Sequence, residues 1–281
     1  MAAEIPKEFE FIESLAKELS TNSLVFPTSV NITMRIRAAL NEPNSSIDKV
    51  AHIVGAEPVL SAQLLRIANS AAMNTSGKPV VDLHTAIARL GYAMVRNVAI
   101  SVGMRQLSQS TLQRSKDPRT EELWKHCILV ASISYMLAKK RTRINPDEAM
   151  LAGLLHDIGG FYILTRAKDF PNLFSDAAAI EEISREWHAE VGKAILESWK
   201  IPEEIVTAIQ NHETFSRTHA GPADLADVLM VANILSTRKP DDIDWQSAPS
   251  AFGRLKLDSE TCAVAMEESE EEMEQIALAL D

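Results

Sequence analysis

Apolar residues recur at helical spacing along nearly the whole chain, and this periodicity constrains the fold more than any other feature of the sequence. Helix boundary signals agree with it: Asn145-Pro146 supplies a cap and a first-turn proline, and Gly91 follows a segment that Asp82 can cap. No segment shows the strict alternation of a β-strand, since the β-branched residues lie inside helical patterns. The sequence therefore predicts an all-α protein.

A polar segment, Ser108–Pro118, ends in a helix breaker and is the best boundary between two lobes. We expect an N-terminal helical lobe over residues 1–110, a connecting segment over 111–119, a second helical lobe over 120–240 and a C-terminal helical extension over 241–281. The extension contains an apolar stripe, formed by Met273, Ile276, Ala277 and Leu280, that can make a homodimer contact. The acidic run before it, residues 267–272, fits a solvated helix start or an acidic surface that binds a partner.

The overall charge argues against two classes of partner. The chain of 281 residues has a formal net charge of −11, and its best basic run, Lys139–Arg143, fits a helix C-terminus. No stretch has the roughly 18 apolar residues of a membrane span, and the N-terminal segment lacks an export signal. Cys127 and Cys262 form no CxxC pair, so neither a disulfide framework nor a thiolate zinc site is expected. We expect a cytoplasmic protein that binds neither nucleic acid nor membrane.

His156 and Asp157 are adjacent at the end of a strongly apolar helix predicted over Pro146–Ile158, with Gly159-Gly160 as its stop. Unpaired carbonyls make the last turn of a helix attractive to a cation. Adjacent helical residues point about 100° apart, so both can serve one site only if other helices surround that end. Further histidines lie in helical patterns, at His126, His188 and His212. Taken singly, each is more often a hydrogen-bonded core residue than a ligand.

Several motifs in the first half of the chain resemble those of the HDOD family, output-domain relatives of HD phosphohydrolases in bacterial signalling. They are Glu57-Pro58-Val59-Leu60, Leu64-Leu65-Arg66-Ile67-Ala68-Asn69-Ser70-Ala71 and Ala86-Ile87-Ala88-Arg89-Leu90-Gly91, followed by Val95 and Arg96. Glu57 departs from the family's usual aspartate. Asn69 and Ser70 fit a capping role, with a ligand contact as the alternative. The resemblance runs from about Leu24 to His212 and implies a two-lobed helical bundle with an HD-domain-like C-terminal lobe.

The resemblance also implies a set of metal ligands. His126, His156, Asp157, His188 and His212 follow the ligand order of HD-GYP-type phosphodiesterases, in which a further histidine would stand at Glu213 and a closing aspartate at Asn233. One divalent transition metal (Fe, Zn, Mn or Ni) is the implied cofactor, with a metal-free pocket as the alternative. The amide of Asn233 lacks a negative charge, which at about 4 Å from a metal ion would contribute roughly 4 kcal/mol of attraction per unit charge on that ion. Glu213 either compensates for this loss or is a surface acid.

These observations predict a signalling or interaction module that receives a protein partner or a small signalling ligand in the cleft between its lobes. Because two ions sharing one carboxylate would repel each other, we expect little or no turnover. Two alternatives remain open. One is a metal-dependent phosphohydrolase that cleaves a nucleotide or a cyclic dinucleotide, and the other is a metal-free structural scaffold.

Overall fold

The computed structural model describes residues 7–21, 36, 39–40, 46–70, 73–74, 77–115, 117–171, 173–174 and 177–281. These residues form α-helices and short 3-10 turns without any β-strand, which confirms the predicted all-α class. Two points of the family resemblance, its start near Leu24 and the motif residue Ala71, lie outside the described residues.

The first part of the chain forms the helices α1 (Lys7–Ser20), α2 (Ile47–Gly55), α3 (Pro58–Ala68) and α4 (Leu83–Ser115). Pro58 begins α3, as predicted. At the end of α3 the Asn69 amide donates to the carbonyls of Leu65 and Val80 and accepts from the Val80 N–H. These bonds support the capping role of Asn69. Gly91 has φ 75° and breaks the axis of α4, but the helix resumes at once instead of ending there.

The second lobe consists of α5 (Arg119–Arg141), α6 (Pro146–Leu155), α7 (Ile158–Arg166), α8 (Ala177–Ser198), α9 (Glu203–Gln210) and α10 (Leu225–Thr237). Helix α5 is central and packs against α6, α10 and α4. Its Trp124 is fully buried. Asn145 caps α6 by accepting from the N–H of Asp147, and Pro146 occupies the first turn, as the sequence predicts.

The helix predicted over Pro146–Ile158 ends earlier, at Leu155, and Gly159-Gly160 does not stop it. His156 and Asp157 form the turn, and both glycines lie in the first turn of α7. The reason is packing. A Cβ on Gly159 would lie 1.9 Å from the carbonyl oxygen of His188, so only glycine allows α7 to approach α8 this closely.

The polar segment expected to separate the lobes is helical as far as Ser115. Asp117-Pro118 lies outside the helices, and the next helix begins at Arg119. Hydroxyls of the polar segment are satisfied inside the fold, because Thr111 bonds to Thr165 and Ser108 donates to the Thr120 carbonyl. A continuous core runs through both lobes. The domain limits given above remain predictions.

Helix α1 packs on elements of the second lobe, although it comes before the other described helices in the sequence. Phe11 contacts the rings of Tyr162, Phe170 and Phe174, two of them edge-on. Glu18 accepts from the Tyr162 hydroxyl and pairs with Arg166. These contacts fix α1 against α7 and the turn that follows it.

The C-terminal residues form α11 (Ser250–Arg254), α12 (Ser259–Glu267) and α13 (Glu270–Leu280). Met273, Ile276 and Leu280, the stripe expected to make a dimer contact, are buried within the chain's own core. Leu278, on the same helix, is strongly exposed. Among the described helices, none is long and apolar enough to cross a membrane.

Candidate metal centre

The structure brings together all five residues that the sequence singles out. We call His126, His156, Asp157, His188 and His212 the histidine centre. His126 comes from α5, His156 and Asp157 from the α6–α7 turn, His188 from α8, and His212 from just after α9. Other helices do surround the end of α6, as a shared site requires.

The Asp157 carboxylate lies between two pairs of imidazoles. Its Oδ2 is 3.4 Å from His156 Nε2 and 3.7 Å from His126 Nε2. Its Oδ1 is 3.7 Å from His188 Nε2 and 3.9 Å from His212 Nε2. We call His126 and His156 the first pair, and His188 and His212 the second pair. Each carboxylate oxygen therefore faces one pair.

Backbone carbonyls fix the orientation of three of the rings. The Nδ1 of His156 bonds to the Gly153 carbonyl at 2.8 Å, that of His188 to Ser184 at 2.7 Å, and that of His212 to Ile209 at 2.6 Å. Since a carbonyl only accepts, each Nδ1 carries the proton and each neutral ring presents a lone pair at Nε2. Metal-binding histidines are commonly held in this way.

Ser236 orients the His126 ring in the same way, and the sequence alone did not identify this residue. Its hydroxyl donates to the Asn233 carbonyl at 2.7 Å and therefore accepts from His126 Nδ1 at 3.2 Å. Ser236 lies on α10, far from His126 in sequence. Only the packing of α10 against α5 reveals this contact.

The resulting donor set fits a cation. The Nε2 atoms are 3.1 Å apart in the first pair and 3.4 Å apart in the second. Two lone pairs cannot bond to each other, whereas two nitrogens bound to one ion at about 2.1 Å lie about 3.0–3.4 Å apart at ordinary coordination angles. Each pair thus has the spacing of two ligands of one metal ion.

The charges of the centre favour the same conclusion. Burial lowers the pKa of His156 to about 3, despite the opposing attraction of Asp157. Burial also lowers the pKa of His212. Burial opposes ionisation of Asp157, but its pKa is lowered overall, because the surrounding imidazoles attract the carboxylate charge whenever they are protonated. Near neutral pH, Asp157 is therefore ionised while His156 and His212 are neutral.

Glu213 and Asn233 take different positions. Glu213 Oε2 is 3.6 Å from His188 Nε2, so it lies beside the second pair, and its side chain is 46% exposed. Asn233 is buried on α10, where its main-chain carbonyl accepts from Ser236. Burial raises the pKa of the Cys127 thiol well above its usual value, which leaves that neighbour of His126 a poor metal ligand.

A cleft of about 270 Å³ opens beside the centre. Its walls come from α5, α7 and α8, with Asp157, His188 and Glu213 at one end. Its lining includes Arg185 and the apolar side chains of Leu123, Leu164 and Ile180. We had expected a cleft between the lobes. The described residues that line this one all belong to the second lobe, and none comes from the described part of the N-terminal lobe.

Comparison with known proteins places this geometry in a family. Residues 26–215 match the model of the HDOD domain. A solved structure of a "putative metal-dependent phosphohydrolase" from Shewanella amazonensis SB2B is 24% identical, with a TM-score of 0.72 over 99% of this chain and 100% of that one. An HDOD domain protein with unknown function from Geobacter sulfurreducens is also 24% identical, with a TM-score of 0.67 over 95% and 96% of the two chains. At this identity, both likenesses establish the fold alone.

An uncharacterised protein of Treponema pallidum (strain Nichols) is 23% identical over 245 residues, which are 81% of this chain. The match covers only 45% of that relative, so this chain spans about half of its length. Because the family model matches well over half of the residues, this chain belongs to the HDOD domain family.

Proposed function

We propose that this protein is a cytoplasmic signalling module that binds one divalent transition-metal ion at the histidine centre and transmits a bound state without catalytic turnover. The observation that supports it most is the position of Asp157. Among the described residues, Asp157 alone offers carboxylate oxygens to both histidine pairs. One such carboxylate suits one ion better than two.

The second pair is the better half for that ion. It combines two imidazoles with Asp157 Oδ1 and has Glu213 close by, so two negative charges can balance one dication. The first pair has Asp157 Oδ2, and Ser236 links it to the neutral residue Asn233, whose main-chain carbonyl accepts from the Ser236 hydroxyl beside His126. A missing negative charge at about 4 Å costs roughly 4 kcal/mol of attraction for each unit charge on the ion, at an effective dielectric constant of 20.

The bound metal would supply Lewis acidity and a coordination site for an anionic oxygen. His188 and His212 would hold it, and their backbone hydrogen bonds would fix its position. The adjacent cleft has the dimensions of a small-molecule site and would receive a small signalling ligand. Ligand binding would change the position of α7 or α8, and a protein partner would recognise that change.

Metal analysis combined with activity assays tests this proposal. Chain purified without chelator is analysed for Fe, Zn, Mn and Ni, then assayed on phosphodiester and phosphomonoester substrates with each metal added. We expect a single bound ion per chain, lost in His188→Ala, and no turnover above the background of Asp157→Ala. Turnover that disappears in Asp157→Ala would overturn the proposal, as would wild-type chain that retains no metal.

A metal-dependent phosphohydrolase is the second candidate, because each oxygen of Asp157 faces its own histidine pair. The geometry of that division would leave room for one ion beside each pair, as two-metal hydrolysis requires, although a single carboxylate balances less of their combined charge. Two equivalents of metal together with hydrolysis would favour this candidate. A chain that never binds metal would instead favour the structural scaffold.

A further inference from the structure

A second charged cluster lies next to the loop that carries Glu213. This Asp227 network consists of Arg217, His219, Asp224, Asp227 and Arg254. Asp227 is fully buried near the start of α10, and its carboxylate accepts from Arg254 twice at 2.8 Å, from His219 Nε2 at 2.8 Å and from Arg217 at 3.3 Å. Asp224 pairs with Arg217 and, through its side chain, accepts from the N–H of Asp227.

The cluster has acids and a histidine at metal-ligand spacing, but its own cations occupy them. Two guanidinium groups, an imidazole and the Asp224 N–H all direct hydrogen atoms at the two Asp227 oxygens. A buried carboxylate satisfied in this way has no lone pair directed at a metal ion. The network therefore has a structural role.

Its members hold different parts of the chain. Arg254 belongs to α11 and fixes that helix to α10. Arg217 belongs to the α9–α10 loop and is held on two sides, since its side chain bonds to Asp224 and Asp227 and its carbonyl accepts from Ser250 at 3.0 Å. Arg217 and His219 thus both attach the loop to the rest of the lobe, and Arg217 is the one that lies closer in sequence to Glu213.

Glu213 is connected to Arg217 by a short, tightly bonded stretch of backbone. The Arg217 N–H donates to Thr214 at 2.8 Å, and the Thr214 N–H donates to Asn211 at 3.0 Å. The Phe215 N–H donates to Glu213 at 2.9 Å. The Glu213 side chain is half exposed and lies near His188, and among the described residues it makes no side-chain hydrogen bond. The position of its carboxylate therefore depends on where the loop is attached.

We propose that Arg217 is a positioning residue for the metal centre: by pinning the loop to Asp224 and Asp227, it keeps Glu213 beside the second pair. This inference rests on the proposed function, because it concerns the same bound ion. Arg217 touches neither the ion nor its ligands. It acts by reducing the freedom that Glu213 would lose on binding metal.

Zinc binding to the full-length, metal-free chain tests the inference. Affinity is measured by competition with a chromophoric chelator for wild type, Arg217→Gln, Glu213→Gln and the double variant. We expect about a tenfold loss for Arg217→Gln, the scale of other groups that orient metal ligands. The double variant should bind no more weakly than Glu213→Gln alone, because both changes remove the same interaction.

Arg254→Gln is the matched control. It removes a cation and two hydrogen bonds from the same carboxylate but leaves the loop attached, so zinc affinity should stay within about twofold of wild type. Hydrogen exchange in metal-free chain should accelerate at residues 213–217 in Arg217→Gln and not in Arg254→Gln. If Arg217→Gln does not fold, Arg217→Lys is measured with the same expectation, because lysine lacks the paired N–H groups.

Wild-type affinity in Arg217→Gln would overturn the inference while leaving the proposed function intact. So would losses that add in the double variant, or an equal loss in Arg254→Gln. Wild-type chain that binds no zinc would refute the proposed function itself, and the inference with it.

Discussion

At the scale of single residues, we propose that the neutral amide at Asn233, where the family resemblance implies a carboxylate, limits what the histidine centre can hold. Asp157 is shared by both histidine pairs. Whether a second acidic residue lies beside a pair therefore determines how much positive charge that pair can bind. Glu213 stands near the second pair, whereas the neutral Asn233 is linked to the first pair through Ser236. The two halves are therefore unequal.

Asn233→Asp should strengthen metal binding at the first pair. The added charge contributes up to about 4 kcal/mol of attraction for each unit charge on the ion, so binding of a second ion should tighten at least tenfold. Without metal, the same buried acid should lower the melting temperature. Calorimetric titration with Zn²⁺ or Mn²⁺ and thermal unfolding in chelator measure the two effects.

Asn145→Asp is the control for that experiment. It is the same change at the cap of α6, where aspartate can also accept from the Asp147 N–H. Metal stoichiometry and melting temperature should be unchanged. A second ion that binds equally well to both variants would contradict the assigned role of Asn233.

The buried imidazoles should also make the metal-free protein sensitive to acid. The pKa of His156 is about 3 when folded and near 6.5 when unfolded, so the unfolded chain binds more protons between these values. Stability is then complete above about pH 6.5 and is lost as the pH falls toward 3. Urea unfolding in chelator at several pH values measures the slope, which should flatten in His156→Gln. An equal slope in that variant would assign the effect to other groups.

At the scale of helices, the centre depends on how closely α7 and α8 approach. Gly159 provides that approach, because a Cβ at this position would collide with the backbone of His188 and Gly192. Helix α7 begins directly after Asp157, and α8 carries His188. Their separation therefore sets the distance between the carboxylate and the second pair.

Gly159→Ala should force α7 and α8 apart, since its Cβ would lie 1.9 Å from the His188 carbonyl oxygen. We expect a loss of about 1–3 kcal/mol or more in unfolding free energy together with weaker metal binding. Gly253→Ala, in the short helix α11, meets nothing within 4 Å and should be neutral or stabilising. Chemical denaturation and zinc titration of the two variants provide the comparison. Wild-type stability of Gly159→Ala would disprove the close-packing argument.

At the scale of the whole molecule, α13 connects the two lobes. Arg66 on α3 donates to the Leu278 carbonyl at 2.7 Å, and the Trp124 indole on α5 donates to Asp281 at 2.8 Å. Lys139 of α5 pairs with Glu272. Together with the continuous core, these contacts should make both lobes unfold as one unit.

Leu280→Ala should therefore destabilise the entire chain by about 2–5 kcal/mol, because this side chain is only 1% exposed. Leu278→Ala, on the same helix but 68% exposed, should change stability by less than about 0.5 kcal/mol. Tryptophan fluorescence and far-UV circular dichroism should report coincident transitions in both variants. Separate transitions would show that the lobes unfold independently.

The sequence by itself determined the helices and the chemistry available to them. Periodicity and caps such as Asn145-Pro146 predicted the all-α fold, and the order of histidines with Asp157 predicted which side chains meet. These features are local, or follow from a family resemblance that a single chain displays. The identity of Asn233, and with it the charge of the site, could also be read directly.

Only the tertiary structure decided how those groups are arranged. That Asp157 divides its oxygens between two pairs, that Ser236 orients His126 and that the cleft lies between α5, α7 and α8 all depend on helix rotation and spacing. Periodicity defines which face of a helix is buried but not which neighbour it meets. Gly159 is the clearest case. Its sequence context suggested a helix stop, whereas packing against α8 makes it the point of closest approach between two helices.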